Sequence, residues 1–143
     1  MVNKSESQTK KPDQEDITLE NVKHTLVVMS GKGGVGKSTV SANLAASLAE
    51  ETEGNVGLMD ADLHGPDIPK IMGLEDGKIT GREESMVPPS IGNLKIMSIG
   101  FTLPSTDSPV VWRGPLKMKA IKQFLGDVNW GELEYLIIDL PPG

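Results

Sequence analysis

Four short apolar runs space the chain: Thr25 to Met29, Val56 to Met59, Leu94 to Ile99 and Tyr135 to Ile138. The first is apolar throughout, which predicts a strand covered on both faces, as in a parallel sheet. After it, Val40, Leu44 and Leu48 recur at steps of four and predict a helix from Lys37 to about Glu51, with Gly54 as its C′ residue. Strand, helix and second strand then form a crossover unit. Pro66 and Pro69 interrupt regular structure before a short segment, Ile68 to Met72. Glu75 to Ser90 is polar and carries Gly77, Gly81, Pro88 and Pro89, which reads as an excursion holding a small hairpin. Pro115 fits the first turn of a second long helix that stops near Gly126. Its apolar face carries Met118, Ile121, Phe124 and Leu125, with Lys117, Lys119 and Lys122 mostly on the opposite, solvated side.

Apolar strands separated by helical or long connections predict an α/β fold with a doubly wound, mainly parallel sheet. Met1 to Asp16 is polar, mixed in charge and without periodicity, and is expected to be disordered. With a short lead-in to the first strand, residues 1–22 form the predicted tail and residues 23–143 the folded domain.

The link between the first strand and the first helix carries the chemistry. Gly31-Lys32-Gly33-Gly34-Val35-Gly36-Lys37-Ser38-Thr39 satisfies G-x-x-x-x-G-K-[ST], a phosphate-binding loop in its required strand–loop–helix setting. The four glycines are expected to adopt positive φ and admit a close ligand. Loop N–H groups and the helix N-terminus then favour phosphate. Lys37 is expected at the β- and γ-phosphates, the Ser38 hydroxyl on Mg²⁺, and Thr39 near the α-phosphate.

In a doubly wound sheet, ligands sit at the carboxyl ends of strands. Asp60 and Asp62 follow the second strand and Asp139 follows the fourth, so all three should reach the phosphate edge. Asp139, after four apolar residues, has the Walker B pattern and would hold the Mg²⁺ hydration shell. Asp62 is the candidate for positioning the attacking water. Asp60 either supports Mg²⁺ or caps its turn, and Asp67 reads as structural. His64 and His24 receive no catalytic role. Phosphoryl transfer relies on positioning and charge neutralisation, for which two lysines, a hydroxyl and these carboxylates suffice.

Lys32, directly after the first glycine, is not needed by an ordinary phosphate loop. The run Lys32 to Thr39 resembles the deviant Walker A loop of the MinD/ParA/ArsA/Mrp ATPases. Asp60-Ala61-Asp62-Leu63-His64-Gly65-Pro66-Asp67, Trp112-Arg113-Gly114-Pro115 and the ending Leu136-Ile137-Ile138-Asp139-Leu140-Pro141-Pro142-Gly143 narrow the resemblance to the Mrp/ApbC iron–sulfur cluster carrier ATPases. It covers about Val22 to Gly143. The resemblance implies an ATPase that uses ATP and Mg²⁺, with Lys32 reaching across a homodimer to the partner's nucleotide, Asp62 as the first-switch acid and Asp139 at the second switch. It also implies a [4Fe–4S] cluster as cargo and iron–sulfur scaffold or recipient proteins as partners. Trp112 and Arg113 match a family signature, either a core tryptophan with a surface arginine or an interface pair.

Composition trims these expectations. The 143 residues contain no cysteine, so no thiolate ligates a cluster here, and the family's paired cysteines lie in a later half. An N-terminal part of the family's domain is therefore expected, truncated before its last strands and with an exposed sheet edge. Net charge is −6 without a basic cluster, which disfavours nucleic acid and anionic membrane as partners. No apolar run reaches the roughly 18 residues of a membrane span, and no apolar signal core opens the chain, so a cytoplasmic location is expected. Two other readings share the loop: a MinD/ParA-like positioning ATPase, and a nucleotide-binding fragment without catalysis.

Overall fold

A computed structural model describes residues 19–63, 65–82, 84–102 and 114–143, without the side chains of 114–117. Most of the expected tail, together with His64, Trp112 and Arg113, lies outside the described residues. In chain order the elements are β1 (Val22–Val28), α1 (Lys37–Glu51), β2 (Val56–Asp60), α2 (Ile68–Ile71), β3 (Thr80–Arg82), β4 (Ser85–Val87), β5 (Ser90–Ile91), β6 (Leu94–Ser98), a 3₁₀ turn (Ile99–Thr102), α3 (Gly114–Gly126) and β7 (Leu133–Asp139).

One sheet runs in the order β1-β7-β2-β6-β5. Its β1–β7, β7–β2 and β2–β6 pairs are parallel, and only the two-residue β5 runs antiparallel. The mainly parallel α/β sheet read from the four apolar runs is therefore present. The hairpin expected within Glu75 to Ser90 is β3–β4. Met86, buried on β4, hooks it to the main body through a bridge to Val128.

Alternate residues of the central strands feed two cores. Val56, Leu58, Ile96 and Ile137 pack with Ala42 and Ala45 of α1 and Ile68 of α2. Met59, Met97, Leu136 and Ile138 pack with Ala120, Phe124 and Trp130 on the other face. This two-sided burial explains why these strands read as unbroken apolar runs.

Two apolar patterns fall differently from expectation. Among the described residues β1 pairs only with β7 and is mostly exposed; Val27 is 50% exposed and Met29, just beyond the strand, 71%. Among the described residues no element covers both faces of β1, so the two-sided cover that its composition suits is not seen. On α1 the inward face is Ser41, Ala42 and Ala45, while Val40 is exposed and Leu44 and Leu48 pack only partly. Small residues let the helix approach the sheet closely. Met118 likewise faces outward on α3, where Ala120 and Phe124 supply the buried contacts.

Gly54 is not a left-handed C′ residue. The C-terminus of α1 is closed instead by Asn93, between β5 and β6. Its Nδ2 donates to the carbonyls of Ala49 (2.9 Å), Gly54 (2.8 Å) and, more distantly, Thr52 (3.2 Å). Carbonyls orphaned at the helix end thus gain a partner from another element.

Gly57 in β2 is closely packed by the second core. A Cβ there would lie 2.8 Å from Leu133 Cδ1, 2.9 Å from Leu136 Cδ1 and 3.0 Å from Trp130 Cε3. The indole is itself pinned by its N–H donating to the Phe124 carbonyl. Gly57→Ala is expected to lower stability by about 1 kcal/mol, since the overpacking cost exceeds the backbone entropy gained. Gly57→Val should cost more, the reverse of strand propensity. Urea midpoints at constant m-value measure both; a Val variant as stable as wild type would refute the packing argument.

Candidate functional site

The carboxyl ends of β1, β7, β2 and β6 lie side by side. In the parallel registers Val28 pairs with Asp139, Asp139 with Asp60, and Asp60 with Ser98. The loop between β1 and α1 wraps over this edge. Only Gly34 (φ 74°) and Gly36 (φ 89°) take positive φ; Gly31 and Gly33 do not. The expectation of four left-handed glycines is corrected to two, which are the ones that turn the chain into α1. At Gly31, Gly34 and Gly36 a Cβ would meet nothing within 4 Å, and at Gly33 only Pro142 Cγ at 3.9 Å. The loop is thus a shallow open cradle. Gly36 forms the N-cap of α1 without a side-chain cap, leaving the first helix N–H groups directed at that cradle.

Asp139 is the electrostatic centre. It is fully buried, and three α1 side chains converge on it. Lys37 Nζ lies 2.5 Å from Oδ1, Ser38 Oγ donates to Oδ2 at 2.8 Å, and Ser41 Oγ donates to Oδ1 at 2.8 Å. The Lys37 side chain is only 7% exposed. Such charge-assisted bonds, shielded from water, are the strong kind. Ser41 was not singled out from sequence. Its signal is a serine one helical turn after Lys37, on the inward face.

A cleft of about 150 Å³ opens beside this cluster, lined by Gly33, Gly34, Gly36, Lys37, Ser38 and Thr39 together with Asp62, Asp67 and Ile71. Asp62 therefore shares the cleft with Lys37, on the same side of the sheet as Asp139. Lys32 and Val35 are exposed and do not line it; the Lys32 carbonyl accepts from Ser30 Oγ at 2.9 Å. His24 stacks on Tyr135 at 5.1 Å, away from the cleft.

Asp60 behaves differently from the other two carboxylates. It is fully buried, accepts from Ser98 Oγ at 2.9 Å, and accepts from the Asp62 N–H at 3.2 Å. Burial raises its pKa to about 7, assisted by the nearby charges of Asp139 and Asp62 and opposed by those two hydrogen bonds. Of the two sequence readings, this geometry favours the turn cap over direct metal support.

The donor set can be tested against a Mg-nucleotide. A serine hydroxyl beside a carboxylate is hard-oxygen chemistry suited to Mg²⁺, which prefers one or two carboxylates plus substrate phosphates to an all-protein cage. Among the described residues no group of three or more His, Cys, Asp or Glu forms such a cage. The open glycine cradle has room for phosphate oxygens. The residues fit the group.

Comparison with known proteins agrees with this geometry. Residues 21–143 match the ParA family model, described as NUBPL iron-transfer P-loop NTPase. An iron–sulfur cluster carrier protein of Saccharolobus solfataricus is 54% identical over 129 residues, which is 89% of this chain and 43% of that protein. A cytosolic Fe-S cluster assembly factor, the Nubp2 homolog of Anopheles gambiae, is 55% identical over 128 residues, 87% of this chain and 49% of that one. A nucleotide-binding protein from Archaeoglobus fulgidus, solved in complex with ADP, superposes with a TM-score of 0.74 at 45% identity, over 90% of this chain and 49% of the other. The chain spans about half the length of these relatives.

Proposed function

Because the chain belongs to the ParA family of NUBPL-type iron-transfer P-loop NTPases, we propose that it binds and hydrolyses Mg-ATP as the nucleotide-binding part of an iron–sulfur cluster carrier. The observation that carries this reading is the convergence of Lys37 and Ser38 on Asp139 beside an open glycine cradle.

In this proposal the loop N–H groups from Gly33 to Thr39 and the N-terminus of α1 hold the phosphates, and Lys37 turns to the β- and γ-oxygens. Ser38 and Asp139 hold Mg²⁺, which supplies charge neutralisation at the transferring phosphoryl group. Asp62 orients the attacking water from across the cleft. The resemblance to deviant Walker A loops assigns Lys32, which is exposed and outside its own cleft, to the nucleotide of a second subunit. The cluster is cargo. These 143 residues hold no cysteine, so its ligands are assigned to parts of a longer protein. The name of one relative, a cytosolic Fe-S cluster assembly factor, supports a cytosolic setting, and the carrier reading implies iron–sulfur scaffold or recipient proteins as partners. Among the described residues no helix is long and apolar enough to cross a membrane.

Steady-state phosphate release, with and without Mg²⁺, tests the proposal. Asp62→Asn is expected to lower kcat about tenfold while ADP affinity stays within about threefold, the signature of an interaction made only in the transition state. Absence of Mg²⁺-dependent hydrolysis by the wild type would refute the ATPase reading. Equal rates for wild type and variant would remove Asp62 from its role. The carrier reading is tested on a longer, cysteine-containing protein that carries this domain, by ATP-stimulated transfer of its reconstituted cluster to a cysteine-ligated acceptor.

A further inference from the structure

β6 ends in a serine that sequence reasoning did not notice. Ser98 is fully buried, and its hydroxyl donates to Asp60 Oδ2 at 2.9 Å while accepting from the Gly100 N–H at 3.1 Å. The other oxygen of the same carboxylate, Oδ1, accepts from the Asp62 N–H at 3.2 Å. Asp62 in turn accepts from the Gly65 N–H through its own Oδ1 at 3.3 Å. A chain of hydrogen bonds thus runs from the exit of β6, through Asp60, to the backbone of Asp62 and on into its loop. A second contact runs alongside. A Cβ on Gly100 would stand 3.5 Å from Pro66, so the turn after β6 packs directly on the loop that holds Asp62.

We infer that Ser98 is a positioning residue for ATP hydrolysis: by fixing the Asp60 carboxylate it sets where Asp62 stands in the cleft. The inference rests on the ATPase reading above for the consequence in catalysis, and on the hydrogen bonds alone for the positioning. The geometry requires it because Asp60 is a short side chain with both oxygens engaged. One oxygen is held from β6 and the other holds the first turn after β2. Removing the Ser98 hydroxyl leaves a buried carboxylate short of a donor and loosens the side chain that holds the Asp62 N–H. Ser98 touches neither cradle nor cleft, so its effect on nucleotide affinity should be small.

The test compares wild type, Ser98→Ala and Ser98→Thr. Amide hydrogen exchange, read by NMR, reports on the positioning. In Ser98→Ala the protection of the Asp62 and Gly100 amides should fall about tenfold, with the amides of Leu58 and Ile137 in the central strands unchanged. Hydrolysis reports on its consequence: kcat should fall about fivefold with ADP affinity unaltered, and Ser98→Thr, which keeps the hydroxyl, should restore both readouts. A role in stability alone would lower protection across the central strands and leave kcat at permissive temperature intact, and that result overturns the inference. So does unchanged protection at Asp62 in Ser98→Ala, or an unchanged kcat. If the wild type does not hydrolyse ATP, the functional reading fails instead, and Asp62 protection still decides whether Ser98 positions it.

Discussion

Replacing Lys37 by alanine should lower ATP hydrolysis at least about a hundredfold, the scale seen when one preorganised donor to developing charge is removed. The same substitution should lower stability by about 3 kcal/mol even without nucleotide. Lys37 Nζ is 2.5 Å from the fully buried Asp139, and truncating one partner of a buried pair strands the other charge. The two losses have different origins and can be separated. In Lys37→Ala/Asp139→Asn the stranded charge is gone, and the amide can still meet the hydroxyls of Ser38 and Ser41. Stability should then recover most of what the single variant lost, while hydrolysis should not recover at all. Denaturant unfolding and phosphate release on the same preparations provide the comparison. A double variant no more stable than Lys37→Ala would mean that the ion pair is not what holds this end of α1.

The features legible in the sequence were those encoded locally. The phosphate loop needs its residues consecutive, and Asp139 and Asp62 were found because strand ends in a parallel sheet share an edge. Topology alone then placed Lys37 and Asp139 together, although 102 positions separate them. Contacts made by ordinary side chains across such separations left no local trace. Ser41 sits in a helical run where a serine looks neutral. Ser98 looks like the polar end of a strand, and Asn93 looks like a turn residue when it closes the C-terminus of α1. The inward face of α1 was misjudged because periodicity rewards large apolar residues, whereas close helix–sheet approach is made by Ala42 and Ala45. The apolar run of β1 suits a strand covered on both faces, while the exposed edge expected for this half of the domain is where β1 stands in the sheet.

The protein should become less stable as pH rises from 5 to 8 in EDTA-containing buffer, and Asp60→Asn should remove most of that slope. Asp60 titrates near 7 in the folded protein, chiefly because burial disfavours its charged form, against an ordinary value of 3.8. The sign follows from proton linkage. Below about pH 4 the carboxyl is protonated in folded and unfolded chains alike, and it costs nothing. Between the two values the unfolded chain loses its proton first, so each step up in pH favours unfolding. Above about 7 both states are ionised and the penalty is complete, about 4 kcal/mol for a shift of this size. Roughly 3 kcal/mol of it accrues between pH 5 and 8. An asparagine can keep an acceptor toward the Asp62 N–H and meet the Ser98 hydroxyl with its amide, so the turn survives without the charge. The variant should therefore match wild type at low pH and exceed it in stability at pH 8. Parallel urea-unfolding curves with the same pH slope would show that Asp60 is ionised throughout, and that the hydrogen bonds from Ser98 and Asp62 outweigh its burial.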